Sequence, residues 1–414
     1  MKLTRFEEDM LAGKEGKGTQ VAMEIIVRLG ELYGASELIP VSQAHIDGCL
    51  YAAVGEAGLI FAEKLQSLDA KVRVPTTLNA TSRDIDDWQE HGVDPEFAEK
   101  NTRMESAYLA MGAIPVWTCA PYQAGLIPRF GEQIAWAESN AILYANSVIG
   151  ARTERYGDYT DICCAITGRV PFFGLHKSEN RAGQVLVDCS SISFENSADY
   201  FAVLGYLIGD LVKDKIPVIK GLPQWVTGDH LKSFCAAAAS SGAVALFHMV
   251  GITPEAPDEQ TAFQGRKPGE EIEITGEMIS KSREQLSSGQ GGHVDAVLIG
   301  CPHASVPEIM QIAAMLRDKK LRGDRELWIY TSRAVNHWLT VSGVVPELKA
   351  KGVKIIKDTC FINTDLRMWN FATVMTNSAK YAHYMTGRTG LKAVFAGLDE
   401  CMHAVYKESE KPGV

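Results

Sequence analysis

Three cysteines each follow an apolar segment with the character of a β-strand and precede a loop or a helix. They are Cys119 in IPVWTCAPY, Cys301 in VDAVLIGCPHAS and Cys360 in VKIIKDTCF. In a parallel α/β sheet the carboxyl ends of the strands share one edge, along which ligands bind. Thiolates from three loops at this edge could hold an iron–sulfur cluster, [4Fe-4S] or [2Fe-2S]. Three ligands rather than four would leave one iron free for the substrate of a hydro-lyase.

The alternative for each of these cysteines is a small, buried hydrophobic side chain. No CxxC or CxxCxxC spacing supports a local metal motif. The position after a predicted strand separates the three from the other cysteines, most of which are interpreted as core residues. These others are Cys49, Cys163, Cys164, Cys189, Cys235 and Cys401.

Two further predicted strands end in polar residues. The segment VSQAHIDG ends with His45, Asp47 and Gly48, which could bind a polar ligand through side chains and the Gly amide. The segment VPTTLN offers hydroxyl and amide groups that could bind a carboxylate or a hydroxyl, from Thr76, Thr77 and Asn79. The alternatives are an Asp-Gly turn in the first segment, and β-propensity followed by an Asn turn in the second.

Charged residues form two more candidate groups. Arg152 lies in GARTERYGD, where the dense charge indicates either a solvated surface or a buried network before the next strand. The segment TNSAKYAHY places Ser378 close to Lys380, whose ammonium group could bind an anionic part of a substrate. The alternative for Lys380 is an ordinary surface lysine.

Strand and helix signals alternate along the chain, which predicts an α/β fold with mostly parallel sheets. A helix is predicted over 131–148, and Ser305 with Glu308 forms a capping-box pattern. The segment 253–271 is rich in Pro, Gly and charge and is predicted to be a linker. We predict three α/β domains: 1–150 with Cys119, 151–260, and 270–414 with Cys301 and Cys360.

The bulk composition narrows the class of protein. The 414 residues carry a net charge of −10, which argues against a general nucleic-acid binder, because such a protein needs a basic face. No apolar run approaches the roughly 18–20 residues of a membrane span. The N-terminus shows no secretory signal pattern, so the nine cysteines are expected to be reduced thiols in a cytoplasmic protein.

Together these segments resemble the aconitase X family, specifically its large catalytic subunit. The resemblance runs in family order from the first residues to about residue 390. It rests on LTRFEEDMLAGKEG, LIPVSQAHIDGCLY, VPTTLN, WTCAPY, SNAILYANSVIGARTERYGD, AITGRVPFFGLH, ENR, IGCPHAS, KDTCF and SAKYAHY.

The resemblance implies an aconitase-like arrangement of several α/β/α layers that lacks the family's swivelling domain. It implies that Cys119, Cys301 and Cys360 bind the cluster, and that a separate small subunit carries the serine base of the swivelling domain. The activities implied are dehydration of cis-3-hydroxy-L-proline to Δ1-pyrroline-2-carboxylate, or dehydration of mevalonate 5-phosphate. Cys49 and Leu50 stand where the phosphomevalonate members tend to have Ser or Val, which favours the hydroxyproline-type substrate.

The resemblance also suggests roles for the polar candidates. His45 and Lys380 are expected to be catalytic, although the family usually has Ser-Gly-Lys where this chain has Ser-Ala-Lys. His45 or His303 could protonate the leaving hydroxyl. Two alternatives from other classes are a non-catalytic protein with a structural or redox-sensing cluster, and a cluster-free protein that binds a small acid. The residues expected to bind the substrate are Asp47, Gly48, Thr76, Thr77, Asn79, Arg152 and Ser378.

Overall fold

Four β-sheets organise the part of the chain that the structure describes, and three of them consist only of parallel strands. The structure is a computed structural model that describes residues 1–289, 293–364 and 371–406. Within these ranges, no helix has both the length and the apolar character needed to cross a bilayer. The α/β fold with mostly parallel sheets, predicted from the alternation of signals, is confirmed.

The first part of the chain builds a parallel three-stranded sheet and a separate antiparallel pair. Its elements are α1 (Arg5–Leu11), α2 (Lys17–Leu32), β1 (Leu38–Pro40), β2 (Ala44–Ile46), α3 (Tyr51–Ser67), β3 (Thr76–Leu78), α4 (Pro95–Ala110), β4 (Ala135–Trp136), α5 (Ser139–Tyr144), α6 (Thr160–Thr167) and β5 (Arg169–Pro171). A π turn (Ala145–Ile149) continues α5, and 3-10 turns cover Pro121–Gln123, Gly174–His176 and Ser178–Arg181. The parallel sheet has the order β3-β2-β4, and β1 pairs with β5. The sheet is buried because apolar residues of α2, α3, α4 and α6 share one core with Ile46 and Leu78.

The second part forms a parallel sheet of order β8-β7-β6-β9. Its elements are β6 (Val185–Asp188), α7 (Ala198–Val212), β7 (Pro217–Lys220), α8 (Gly228–Gly242), β8 (His248–Met249), α9 (Glu259–Ala262), β9 (Glu270–Glu273) and α10 (Gly276–Gln285). Helices α7 and α8 pack closely because Gly205 has no side chain. A Cβ there would lie 2.5 Å from the carbonyl oxygen of Phe234.

The third part forms a five-stranded parallel sheet of order β12-β11-β10-β13-β14. Its elements are β10 (Ala296–Ile299), α11 (Val306–Leu316), β11 (Glu326–Thr331), α12 (Arg333–Val341), α13 (Val344–Ala350), β12 (Lys354–Lys357), β13 (Thr373–Thr376), α14 (Ala379–Thr389), β14 (Lys392–Phe395) and α15 (Leu398–Val405), with a 3-10 turn at Phe361–Asn363. The predicted capping box of Ser305 and Glu308 begins α11. The strand order reverses between β10 and β13, and ligands bind at such a switch point in open parallel sheets.

Two local predictions were wrong. The segment before Cys119 is extended but is not a strand, because it makes one isolated bridge, between Thr77 and Ile114, and Trp117 turns at φ 45°. The helix predicted over 131–148 begins only at Ser139, since β4 occupies part of that segment. The apolar run IAWA serves the buried sheet rather than a helix face.

The three-domain division stays a prediction at its boundaries. Strand β9 begins inside the segment predicted to be a linker and pairs with β6, so residues 270–273 belong to the second sheet. The segment also contains the short helix α9. Its Pro, Gly and charged residues therefore lie in loops of the region built around the second sheet, and the segment is not a linker between domains.

Gly300 offers a test of the turn that ends β10. Its φ of 105° is left-handed, and a Cβ would lie 2.1 Å from the carbonyl oxygen of Tyr330 in β11. We expect Gly300→Ala to lower the free energy of unfolding by at least about 1–3 kcal/mol, the usual cost of such backbone strain. Urea unfolding, monitored by tryptophan fluorescence, measures the change in the free energy of unfolding. Gly323→Ala is the matched control, because nothing lies within 4 Å of its Cβ position; equal midpoints for both variants would contradict the prediction.

Candidate active site

Three cysteines differ from the other six in their exposure. All nine are free thiols; six are buried, while Cys119, Cys301 and Cys360 are partly exposed. The side chains of Cys301 and Cys360 interact with each other. The charge of Cys360 also raises the pKa of the nearby Cys119 thiol. The structure therefore brings together the three thiols that were chosen by strand position.

The spacing of the three sulfurs is wider than that of ligands to a single ion. Among the described residues, only Asp84, Asp86 and Asp358 form a group of three ligand atoms that lie within 4.8 Å of one another. Sulfur ligands around one tetrahedral ion, with metal–sulfur distances of about 2.3 Å, would lie less than about 4 Å apart. The cysteine sulfurs thus do not form a compact single-ion site.

Cys301 lies at the switch point of the five-stranded sheet. It follows β10 through Gly300, and its carbonyl oxygen accepts a 2.6 Å hydrogen bond from Ser378 Oγ at the end of β13. The same Ser378 hydroxyl caps α14 by accepting from the amide of Tyr381. Burial raises the pKa of the Cys301 thiol, and the neighbouring Cys360 adds to this shift.

Cys360 follows β12 and opens the 3-10 turn that leaves the sheet. The hydrogen bond from Cys301 lowers the pKa of the Cys360 thiol, and the nearby Lys380 ammonium lowers it further. The Tyr381 phenol also acts to lower this pKa, and its oxygen accepts from the amide of Phe361 at 3.1 Å. Of the three thiols, Cys360 is thus the one stabilised as a thiolate.

Cys119 is held by the Cys301 loop. The backbone amide of His303 donates to Cys119 Sγ at 3.3 Å. Burial raises the pKa of Cys119 to about 12, and the charge of Glu138 contributes to this shift. The His303 ring is itself buried, and burial lowers its pKa to about 4, so the imidazole is neutral at pH 7.

Lys380 connects the cysteines to the first sheet. Its ammonium donates to Glu138 Oε1 at 2.6 Å and to Ser139 Oγ at 3.3 Å. Burial acts to lower the pKa of Lys380, but the charges of Glu138, Cys301 and Cys119 outweigh burial and raise it. Lys380 is therefore a mostly buried side chain that stays cationic, and not an ordinary surface lysine.

His45 sits in the middle strand of the first sheet, beside Thr77. The parallel register pairs the two residues, and His45 Nδ1 lies 2.8 Å from Thr77 Oγ1. The Nε2 atom is buried and has no hydrogen-bond partner. Burial lowers the pKa of His45 to about 3, so the ring is neutral and its free nitrogen can serve a ligand.

Asp47 and Asn79 follow the ends of β2 and β3 and hydrogen-bond each other. Asp161 at the start of α6 organises this edge by accepting from the amides of Asp47, at 2.7 Å, and Gly48, at 3.3 Å. The Gly48 amide, which the sequence suggested as a ligand donor, is thus paired with a carboxylate. The Asp47 side chain remains at the open end of the strand and is partly exposed.

Several carboxyl groups crowd this edge of the first sheet. Burial raises the pKa of Asp47 to about 8, and the charges of Glu138 and Asp158 add to the shift. Burial likewise raises the pKa of Asp161 to about 7. The site therefore favours a positively charged group next to Asp47.

Two predicted substrate ligands lie apart from these groups. Thr76 Oγ1 donates to the carbonyl of Val74, on the strand face opposite to Thr77. Arg152 donates to Ser178 Oγ at 2.7 Å, and its charge acts on His176 and Arg181. Within the described residues, no hydrogen bond or ion pair joins Arg152 to the cysteines or to Lys380.

The sequence analysis missed Glu138, Tyr381 and Asp161. Glu138 caps α5 from a left-handed conformation, with φ 71° and its carboxylate accepting from the amide of Ala141. A glutamate inside an apolar run that was predicted to be helical gave no signal of this role. Asp161 and Tyr381 stand at helix starts next to segments that were singled out, but their partners come from distant strands.

A cavity of about 610 Å³ opens beside the Cys301 loop, within the size range of small-molecule sites. Its lining includes Gly300, Cys301 and Pro302 of this loop, with Tyr122 and Asn377 from the neighbouring loops. His45, Asp47 and Lys380 are not among the lining residues. The cavity therefore approaches the cysteines from one side only.

The unequal thiols predict unequal reactivity in the cluster-free chain. Because its pKa is lowered, Cys360 holds a larger thiolate fraction than Cys301 or Cys119, and that fraction falls as the pH drops through its pKa. We expect iodoacetamide to modify Cys360 first at pH 7–8, at a rate that declines below pH 7. Tyr381→Phe should slow this reaction, because the phenol that helps to lower the pKa of Cys360 is lost. Mass spectrometry of tryptic peptides measures each rate, and equal rates at all three cysteines would contradict the assignment.

Family models and relatives agree with this architecture. The models described as Aconitase X first, second and third domain match residues 1–179, 183–284 and 294–407. A cis-3-hydroxy-L-proline dehydratase of Pseudomonas aeruginosa is 44% identical over 97% of this chain and 70% of its own length. The phosphomevalonate dehydratase large subunit of Methanocaldococcus jannaschii is 36% identical over 97% of this chain and 99% of its own length.

A solved structure shows the same fold. The crystal structure titled Thermococcus kodakaraensis aconitase X (holo-form) superposes with a TM-score of 0.88 at 35% identity, covering 97% of this chain and 99% of that one. The resemblance inferred from the motifs is confirmed, and the dehydratase names of the relatives confirm an enzyme of the hydro-lyase class. This chain belongs to the aconitase X family.

Proposed function

We propose that this chain dehydrates cis-3-hydroxy-L-proline to Δ1-pyrroline-2-carboxylate, with an iron–sulfur cluster held by Cys119, Cys301 and Cys360 and a small subunit as partner. The observation that carries the choice of substrate is the excess of carboxyl groups around Asp47. The ring nitrogen of hydroxyproline is a secondary ammonium ion at neutral pH. Its charge would offset the burial, and the repulsion from Glu138 and Asp158, that raise the pKa of Asp47.

A phosphate ester suits the acidic environment of Asp47 less well. Phosphate recognition in proteins relies on arginine clusters, lysines or helix N-termini. Around Asp47, the charged groups that act on its carboxylate are Glu138, Asp158 and Asp161, all of which would repel a phosphate. The identity of 44% with the Pseudomonas enzyme, against 36% with the Methanocaldococcus subunit, supports the same choice.

The donor set fits an iron–sulfur cluster. Thiolates are the usual cluster ligands. Cys301 and Cys360 follow β10 and β12 at the carboxyl edge of the five-stranded sheet, and Cys119 reaches them from the first part of the chain, where its Sγ accepts from the His303 amide. When bound through three protein thiolates, such a cluster supplies a Lewis-acidic iron. The mutual effect of the three thiols on one another's pKa and the lowered pKa of Cys360 support the assignment.

Lys380 is proposed to bind the substrate carboxylate. An ammonium group carries three donors, and Glu138 and Ser139 accept from Lys380. One N–H therefore remains for a substrate oxygen. The buried ion pair with Glu138 fixes the ammonium in place, so the substrate meets a pre-organised cation.

His45 is proposed to donate a hydrogen bond from Nε2 to the leaving hydroxyl. Thr77 Oγ1 lies 2.8 Å from His45 Nδ1 and 3.4 Å from the Ala44 carbonyl, so the hydroxyl hydrogen is better placed toward the imidazole. The ring proton then sits on Nε2, the atom without a partner. Both ring nitrogens of His303 are within hydrogen-bond distance of Thr118 and Thr359, which favours His45 among the two candidates.

The proton on C2 of the substrate requires a base, which we assign to the serine of a small swivelling-domain subunit. Loss of this proton and of the C3 hydroxyl releases water and leaves an enamine, which tautomerises to the Δ1-pyrroline. A relative named as a large subunit, the Methanocaldococcus phosphomevalonate dehydratase large subunit, supports a two-subunit arrangement. Nine free thiols support a reducing, cytoplasmic location.

The cluster assignment predicts the result of three single substitutions. We expect Cys119→Ser, Cys301→Ser and Cys360→Ser each to lose most of the iron and sulfide that the parent chain binds on anaerobic reconstitution. Hydroxyl ligands replace thiolates poorly, because iron–sulfur clusters prefer soft donors. The control is Cys401→Ala, which removes a buried thiol of α15. Full iron content in any of the three serine variants would remove that cysteine from the set.

The substrate assignment predicts that the enzyme prefers cis-3-hydroxy-L-proline to mevalonate 5-phosphate and that this preference depends on Asp47. With a swivelling-domain subunit supplied in trans, we expect turnover of cis-3-hydroxy-L-proline and less than about one hundredth of that kcat/KM for mevalonate 5-phosphate. Asp47→Asn should raise KM for hydroxyproline about tenfold or more, since a charged hydrogen bond contributes about 1.5–3 kcal/mol. Arg152→Gln is the control, because Arg152 lies apart from the site. Efficient turnover of mevalonate 5-phosphate would favour the alternative substrate.

A further inference from the structure

His303 contacts all three cysteine loops from a single buried position. Its backbone amide donates to Cys119 Sγ at 3.3 Å. Its ring Nδ1 lies 3.0 Å from Thr118 Oγ1, and its ring Nε2 lies 2.8 Å from the carbonyl oxygen of Thr359. Thr118 precedes Cys119, Thr359 precedes Cys360, and His303 itself follows Cys301 by two positions.

The partners determine where the ring proton resides. A carbonyl oxygen can only accept, so His303 Nε2 carries the hydrogen that is donated to Thr359. In the neutral ring, Nδ1 then accepts from the hydroxyl of Thr118. The Thr118 oxygen in turn accepts from the amide of Ala120 at 3.1 Å. This chain of bonds encloses Cys119 on both sides and continues to the residue before Cys360.

The Thr359 end of the chain is itself anchored. Thr359 Oγ1 lies 3.0 Å from Thr364 Oγ1, and the preceding carbonyl of Asp358 accepts from the amide of Thr81 at 2.7 Å. The imidazole is therefore bonded at one nitrogen to Thr118 and at the other to Thr359, and each of these residues is held by further hydrogen bonds. A ring in this place acts as a rigid spacer between the first and third parts of the chain.

We propose that His303 is a positioning residue that sets the separation of the three cysteine sulfurs and so determines how firmly the chain holds its cluster. This inference rests on the proposed function, because it assumes that the three cysteines are the ligands. His303 touches no substrate in this role and acts only through Cys119, Thr118 and Thr359. Residues that orient metal ligands in this way typically change metal affinity about 10–100-fold when they are replaced.

The experiment compares variants of the full chain after anaerobic reconstitution with iron and sulfide. His303→Gln removes the imidazole but leaves the backbone amide on Cys119. Thr118→Val removes only the hydroxyl that binds Nδ1, and Thr118→Ser retains it. The matched control is His176→Gln, because His176 is also a buried imidazole whose two nitrogens contact Gln133 and Tyr156.

Two readouts separate positioning from a general structural role. The first is the rate at which an iron chelator removes iron from the loaded chain, and the second is the electron paramagnetic resonance spectrum of its reduced form. We expect His303→Gln to release iron about tenfold or more faster and to show a changed spectrum. Thr118→Val should change the iron-release rate and the spectrum in the same direction as His303→Gln. Thr118→Ser and the control His176→Gln should both keep the release rate and the spectrum of the parent chain.

The outcomes that overturn the inference are distinct from those that overturn the proposed function. Parental release rates and spectra in both His303→Gln and Thr118→Val would show that His303 does not set the ligand separation, while the cluster itself stands. A parent chain that binds no iron would remove the proposed cluster and this inference with it. If His303→Gln fails to fold by circular dichroism, the Thr118 pair decides, since Val exchanges the hydroxyl of Thr for a methyl group, whereas Ser keeps the hydroxyl and loses only the methyl group.

Discussion

The bond between Lys380 and Glu138 holds the candidate site together. It joins the carboxyl end of β13 in the third sheet to the carboxyl end of β4 in the first. Both side chains are mostly buried, at 16% and 7% exposure. Removing one partner of such a pair typically costs about 3–5 kcal/mol, because the other charge is left buried and alone. The pair therefore fixes how the two sheet edges face each other, and the cysteines and polar residues are placed accordingly.

This pairing also explains an unfavourable backbone. Glu138 takes a left-handed conformation at φ 71°, which costs a residue with a side chain about 1–3 kcal/mol. The conformation aims its carboxylate at both the start of α5 and the Lys380 ammonium. Strain at this point is offset by the ion pair and the helix cap. The cost is concentrated where the chain needs a precisely placed charge.

Opposite charges divide the site into two sides. The Lys380 ammonium lowers the pKa of Cys360 and is itself stabilised by Glu138. On the other side, burial raises the pKa of Asp47, and the neighbouring carboxyl groups raise it further. An amino acid carries both charges that this arrangement suits: a carboxylate for Lys380 and an ammonium for Asp47. A dehydratase of hydroxylated imino acids is thus consistent with the electrostatics as well as with the relatives.

The sequence by itself predicted the fold class from the alternation of strand and helix signals and singled out the three cysteines by their position after apolar segments, because these signals are local. The resemblance to the family rested on motifs spread along the chain. The sequence also singled out His45 and Asp47 at a predicted strand end, and Lys380 as a possible ligand for an anionic group. It could not find Glu138, or show that Arg152 lies elsewhere, since these depend on which distant strands meet. Only the tertiary structure decided that a neutral His45 leaves one nitrogen free, while His303 uses both. The physical reason is that burial and partners across sheets, not neighbours in sequence, set protonation and hydrogen bonding.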